Sequence, residues 1–330
     1  VLGRALATLA LSSALSFALL LAGAPAALAQ DGLSKEGALF LLVPIGARAV
    51  GMGQAVVASN IGSEGFWWNP ASVARLTMPE FSINASKSVI ADGYAITLVR
   101  PTGVLGVLSG GAYIYDYGEQ IATDFSTGEI GRLNPRSIVL AASYAATFGT
   151  RVSLGLTYKF VQQRLDCSGQ CGNIATFNAS TTAVDVGIQA VVDRAKNLTI
   201  GAMLRNFGPQ LQVNDNPQAD PLPSRVVVGA QYVIPNFAKQ VPDGELRVTA
   251  ELVDKASLGQ PSVHVGGEFG FRKQIYLRGG YVTGSGDASG ASVGLGIRRG
   301  GVAMDFARGF GDASTDAGSP PTYLTLRFLF

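Results

Sequence analysis

From Arg151 to Phe160 the chain alternates without a break: Val152, Leu154, Leu156, Tyr158 and Phe160 are apolar, while Arg151, Ser153, Gly155, Thr157 and Lys159 are small, polar or charged. A period of two specifies a β-strand with one apolar and one wet face. The pattern returns in about fourteen segments, which predicts an all-β chain. Strands are expected at 80–90, 93–100, 103–116, 136–148, 151–165, 180–193, 197–207, 224–235, 245–254, 261–271, 274–284, 290–299, 301–309 and 321–330. Val104 to Ser109 is apolar on both faces and makes the third the least regular.

One apolar face per strand needs a cover. Leu246, Val248, Ala250 and Leu252 lie on one such face, and Leu324, Leu326, Phe328 and Phe330 on another. A soluble β-sandwich or propeller would hide them under a second layer. Beyond the first fifty residues after the leader, no segment is free to supply one. Lipid is the remaining cover, and the expectation is a transmembrane antiparallel β-barrel of about 14 strands occupying 79–330. The connections agree. Pro101-Thr102-Gly103, Phe148-Gly149-Thr150, Arg194 to Lys196, Arg272 to Gln274 and Arg299-Gly300 are short, with a longer one at 236–244, whereas 117–135, 166–179, 208–223 and 310–320 are long and polar or rich in Pro and Gly. Short turns on one side and long loops on the other are the habit of outer-membrane barrels.

Residues 1–29 read as a cleavable signal peptide: Arg4, an apolar stretch from Leu9 to Leu21, a break at Pro25, and Ala27-Leu28-Ala29 before the cut. The mature chain would begin at Gln30, and no cysteine follows the cut to carry a lipid anchor. A membrane-spanning helix is disfavoured because the apolar core is short and runs into the cleavage pattern. The longest later apolar run, Ala38 to Ile45, is too short to cross a bilayer as a helix. The net charge of +2 includes Arg4, so the mature chain is nearly neutral, which gives no electrostatic case for a nucleic-acid partner. Cys167 and Cys171 in Cys-Ser-Gly-Gln-Cys are expected to form a local disulfide that stiffens a surface loop; a metal site would need more ligands, and the single histidine is distant. The Gly- and Asp-rich stretches at 284–290 and 309–318 lack the ordered oxygen spacing of calcium loops. No metal or other cofactor is expected.

Residues 30–78 do not read as wall strands. They mix short helical pieces with glycine turns, and a segment of this size ahead of a barrel is most simply placed in its lumen as a plug. Within it, Gly46-Ala47-Arg48-Ala49-Val50-Gly51-Met52-Gly53 is followed by Trp67-Trp68-Asn69-Pro70-Ala71. The adjacent tryptophans beside Asn69-Pro70 mark a rigid turn that anchors the plug or meets an apolar ligand.

This pair of motifs resembles the N-terminal signature of the PorV/PorQ family, relatives of the FadL fatty-acid transporters. Pro221-Leu222-Pro223, His264-Val-Gly-Gly-Glu268, Leu277-Arg278-Gly-Gly-Tyr281 and Gly294-Leu-Gly-Ile-Arg298 agree with it downstream. The resemblance spans the mature chain. It implies a fourteen-stranded barrel in the bacterial outer membrane, surrounded by its lipid, with an N-terminal hatch and no enzymatic activity. It also implies one of two roles. The first is a type IX secretion component that attaches or shuttles exported proteins, with secreted cargo and other secretion barrels as partners. The alternative is a FadL-like channel for small hydrophobic molecules.

Inward positions include Lys159, Asp185, Glu245, Arg247, Glu251, His264, Glu268, Arg278, Arg298, Asp305 and Arg327. A turn centred on Lys273 sets Glu268 opposite Arg278 as a cross-strand ion pair, and a turn at Arg299-Gly300 would set Gly294 opposite Asp305. His264, Glu268, Arg278, Arg298 and Asp305 are therefore expected to form a charge network that holds wall and plug together, with Arg48 docking on it in a sharper version. A catalytic His264 would need a nucleophile beside it, and Glu268 lies about 13 Å along the strand. A structural histidine is the simpler expectation.

Overall fold

The computed structural model describes residues 36–124, 128–169, 176–212, 219–259, 261–283, 289–311 and 319–330. In chain order the strands are β1 (Glu80–Lys87), β2 (Asp92–Pro101), β3 (Val107–Asp116), β4 (Gln120–Asp124), β5 (Gly128–Phe148), β6 (Val152–Gly169), β7 (Phe177–Val191), β8 (Leu198–Phe207), β9 (Leu211–Gln212), β10 (Ala219–Asp220), β11 (Arg225–Val233), β12 (Gly244–Lys255), β13 (Ser262–Phe271), β14 (Ile275–Val282), β15 (Gly290–Arg299), β16 (Val302–Gly311) and β17 (Thr322–Leu329). Fourteen of them form one closed antiparallel ring, in which β1 pairs with both β2 and β17, and β3 with β5. Strand β4 extends the outer end of β5, and β9 with β10 makes a separate two-stranded ribbon. No helix among the described residues is long and apolar enough to cross a membrane.

The wall is inverted relative to a soluble fold. On β6, Leu156 and Tyr158 stand outward at 51% and 54% exposure, while Ser153 and Thr157 are fully buried on the inside. The same holds for Tyr94, Ile96 and Leu98 on β2 against buried Ala95 and Thr97. Alternation thus sends most large apolar side chains to the outer face and most small or polar ones to the lumen, with Val99, Tyr113, Val139, Val161 and Met203 among the apolar exceptions.

Three expectations need correction. The stretch 117–135 is not an open loop: β4 and the first turns of β5 fold it into a hairpin, and β9 and β10 lie within 208–223. Gly103–Leu105 is a short helical turn with Val104 and Leu105 exposed, so β3 begins only at Val107, which explains the loss of alternation there. The β15–β16 turn is Gly300-Gly301, with Gly300 at φ +58°, so Asp305 faces Gly296, and Gly294 faces Ala307. The slip is two residues, which keeps Asp305 on the inner face. Glu268 does pair with Arg278. The 284–288 and 312–318 parts of the two Gly- and Asp-rich stretches lie outside the described residues, as do Cys171 and with it the expected pairing to Cys167.

Candidate functional site: the N-terminal segment and the lumen

Residues 36–79 pass from the long-loop end to the short-turn end, touching inward side chains of most wall strands. At the long-loop end Glu36 takes both terminal nitrogens of Arg225 at 2.7 Å, and Gly37 N donates to Pro221 O. At the short-turn end Arg75 donates to the carbonyls of Thr150 and Arg151. Between these ends the segment has little regular structure, so its peptide groups need partners from the wall. The wall supplies them: Thr325 Oγ1 accepts from Ala47 N, Ser292 Oγ from Gly53 N, Glu251 Oε2 from Val57 N and Glu80 Oε2 from Ser63 N, while Arg327 donates to Ile61 O. Close approach requires glycine on both sides. Gly53 adopts φ +61° directly against Gly280 of β14, and a Cβ on Gly280 would collide with the Gly53 backbone.

The motif residues divide between two surroundings. Toward the short turns, Arg48 from the five-residue helix Ala47–Gly51 grips Glu268 with two bonds, Nη2 to Oε1 at 2.8 Å and Nε to Oε2 at 2.9 Å. Arg278 joins Glu268 (2.7 Å) to Asp305 (2.6 Å), Arg327 reaches Asp305 at 3.4 Å, and Arg247 reaches Glu268 at 3.4 Å. Such bidentate, shared pairs offset the desolvation that burial imposes. Arg298 lines the adjoining space but forms no ion pair among the described residues. His264 also stands outside this network, beside Glu251 and Ser262. Polar cavities of about 310 and 580 Å³ open below, sharing Arg247, Tyr276 and Arg298 as lining.

Glu64, which the sequence did not single out, sits fully buried among these charges; it accepts only a long bond from Ala49 N, at 3.4 Å, and Gly46 (φ +95°) leaves the space for its carboxylate. Burial, reinforced by Asp305 and opposed by Arg327, Arg278 and Arg48, pushes its carboxyl up to about 7.

Toward the long loops the surroundings are apolar. Helix Gly65–Trp68 buries Phe66, Trp67 and Trp68; Trp67 Nε1 donates to Thr97 and Trp68 Nε1 to the Ile45 carbonyl. Asn69 ends this helix and starts the next turn: its Oδ1 accepts from Ala71 N, its Nδ2 donates to Val57 O, and Pro70 follows at the first helical position. Aromatic rings climb from here along β3, Phe66 to Trp67, Tyr113, Tyr115 and Tyr117, with centroids 4.8 to 6.2 Å apart. Phe40, Leu41, Val43, Trp67, Trp68, Tyr113 and Val139 enclose a cavity of only about 20 Å³, edged by Lys159 and by Arg205, whose guanidinium lies 5.7 Å from the Trp68 ring centre. The Tyr113 hydroxyl is buried there without a hydrogen-bond partner among the described residues. That space holds about one water, so a larger guest would have to displace the segment. A larger apolar dent of about 560 Å³ over β7, β8, β11 and β12 is lined mainly by outward side chains such as Ile188, Ile200, Val228 and Leu252 and so faces away from the lumen.

No protein-family model matches the chain, and no curated protein matches it in sequence. Solved structures do match in fold. The toluene transporter TbuX of Ralstonia pickettii aligns with a TM-score of 0.57 at 14% identity, over 86% of this chain and 98% of that one. The toluene transporter TodX of Pseudomonas putida gives 0.57 at 10% identity, over 86% and 98%. A FadL homologue of Pseudomonas aeruginosa gives 0.51 at 12%, over 87% and 98%. At these identities the likeness is one of fold.

Proposed function

We propose that the protein is an outer-membrane channel for small hydrophobic molecules, with residues 36–78 as the plug that closes it. The observation that carries this reading is the aromatic ladder and closed apolar cavity on the plug's long-loop side, in a barrel whose fold is that of toluene transporters. A guest entering from the loops would pass the Glu36–Arg225 pair, meet Tyr113, Trp67 and Trp68 with Lys159 and Arg205 at their edge, then press the plug toward the ion network around Glu268. The fold likeness favours this role over the secretion component, and so reverses the order in which the sequence ranked the two.

The protein has only two tryptophans, and both line the cavity. Titration of the purified barrel with toluene and with a medium-chain fatty acid should produce a saturable change in tryptophan emission, weakened in Tyr113→Leu. An emission that responds to neither compound would sink the channel reading.

A further inference from the structure

We infer that the lumen wall carries a serine esterase site, built from Ser262, His264 and Glu251. Ser262 and His264 are two residues apart on β13 and so share its inner face, and Glu251 is the register partner of His264 on β12. Ser262 Oγ stands 3.1 Å from His264 Nε2. On the other side of the ring, His264 Nδ1 is 3.7 Å from Glu251 Oε1. The His264 side chain is 10% exposed, and Nδ1 has no hydrogen-bond partner among the described residues, so the ring edge aimed at the carboxylate is unsatisfied until that distance closes. Contacts of this kind commonly tighten only when substrate is bound. Glu251 is itself held by the Val57 amide of the plug at 2.9 Å. The order of groups is hydroxyl, imidazole, carboxylate, which is the arrangement that activates a serine whatever the fold.

The surroundings name the substrate class. Ser262 is the first residue of β13, at the long-loop end and partly exposed, so it is reachable from the loops. Its rung of the wall continues through Val253, Val227 and Met203, an apolar strip packed against Val57 and Ala58 of the plug. The acyl chain of a carboxylic ester would take the place of Val57 and Ala58 on that strip, a step that rests on the plug moving as proposed above. Arg205 of β8, on the same stretch of wall with only β11 between it and β12, is the charged group nearest the histidine and Glu251, and the Gln54 backbone lies within hydrogen-bond reach of the ring. In the ground state Ser262 Oγ also reaches the Val253 carbonyl at 3.4 Å, a long contact that its rotation toward a substrate releases.

In the reaction, Ser262 Oγ attacks the ester carbonyl carbon as its proton passes to His264 Nε2. The bond to the leaving alcohol then breaks, and that proton goes to the departing oxygen. Water repeats the sequence on the acyl-serine, giving its proton to His264 and its oxygen to the acyl group, so that ester and water become acid and alcohol and Ser262 is restored. Glu251 touches no reacting atom. It is a positioning residue that holds the Nδ1–H tautomer and stabilises the imidazolium.

The test uses the full chain, folded in detergent and checked by its heat-modifiable gel mobility. A fluorophosphonate probe should add covalently, with peptide mapping placing the adduct on Ser262. p-Nitrophenyl decanoate should be hydrolysed faster than the butyrate. Ser262→Ala should abolish both readouts, and His264→Gln should slow labelling by on the order of 10²- to 10⁴-fold. Glu251→Gln should lower the rate of labelling, and Glu251→Asp, which keeps the acid group, should restore part of it. Folded wild type that neither labels nor outpaces Ser262→Ala on either ester overturns the proposal. So does labelling of Ser262 at an equal rate in His264→Gln. Neither outcome touches the channel reading, which tryptophan emission tests separately.

Discussion

The two sides of the N-terminal segment are fastened by different physics. Arg48 meets β13 through a charge network in which Glu268 alone serves Arg48, Arg278 and Arg247. Trp67 and Trp68 meet β2, β3 and the segment's own backbone through ring packing and one hydrogen bond each. The ionic side is directional and fails when a single partner is lost, because the remaining charges stay buried. The aromatic side is spread over many weak contacts and yields gradually. As the proposed gate, the segment would have a catch on one side and a compliant seat on the other.

The strongest blow to that contrast is Glu268→Ala. It strands Arg48 in a buried site and leaves Arg278 with Asp305 alone, and removing one partner of such a pair costs about 3–5 kcal/mol. The denaturation midpoint should fall and single-channel conductance in planar bilayers should rise; unchanged conductance would mean that Arg48 is no catch. Trp67→Phe should cost less, about 1–3 kcal/mol, through the unpaired Thr97 hydroxyl and the smaller ring, with conductance near that of wild type. If the two variants raise conductance equally, the two sides do not differ in kind.

Glu64 supplies a pH test of the ionic side. Its carboxyl is raised in the folded state, so the fold favours the protonated form. The associated stability is fully present below the ordinary value of 4.5 and is lost as pH rises to about 7. The thermal midpoint of the wild type should therefore drop across that window relative to Glu64→Gln; parallel curves would show that the group does not titrate there. The smallest effect is expected at Arg132, whose pairs with Glu119 and Glu129 are half exposed at the loop end: Arg132→Ala should change stability by less than about 1 kcal/mol and leave conductance alone.

How much of this could be read in the sequence depends on whether a residue is placed by periodicity or by topology. Alternation at 151–160 located β6 and assigned Lys159 to the lumen, because a period of two fixes the face of every residue at once. It failed beyond the apolar belt. β5 begins at Gly128, and its first turns carry polar residues on both faces together with Pro135, so no alternation marks them. Glu268 opposite Arg278 was legible because a three-residue turn fixes register, whereas the Gly300-Gly301 turn was misplaced by one residue and moved the partner of Asp305 by two. Ser262 went unnoticed although Ser-x-His is itself a period-two signal. What makes that pair noteworthy is Glu251 on the neighbouring strand, and cross-strand neighbours follow only from register. Glu64 was hidden for a related reason, since the segment that carries it has no period from which burial could be inferred.

The seam between β1 and β17 has a further consequence. Glu80 pairs with Leu329 and Lys87 with Thr322, so the first and last strands of the wall are neighbours. The ring cannot close until the final strand has been synthesised and delivered, and the residues that end innermost are made before any of the wall. Closure of the wall is therefore the last of its pairings to form, and it joins the strands that lie farthest apart in the sequence.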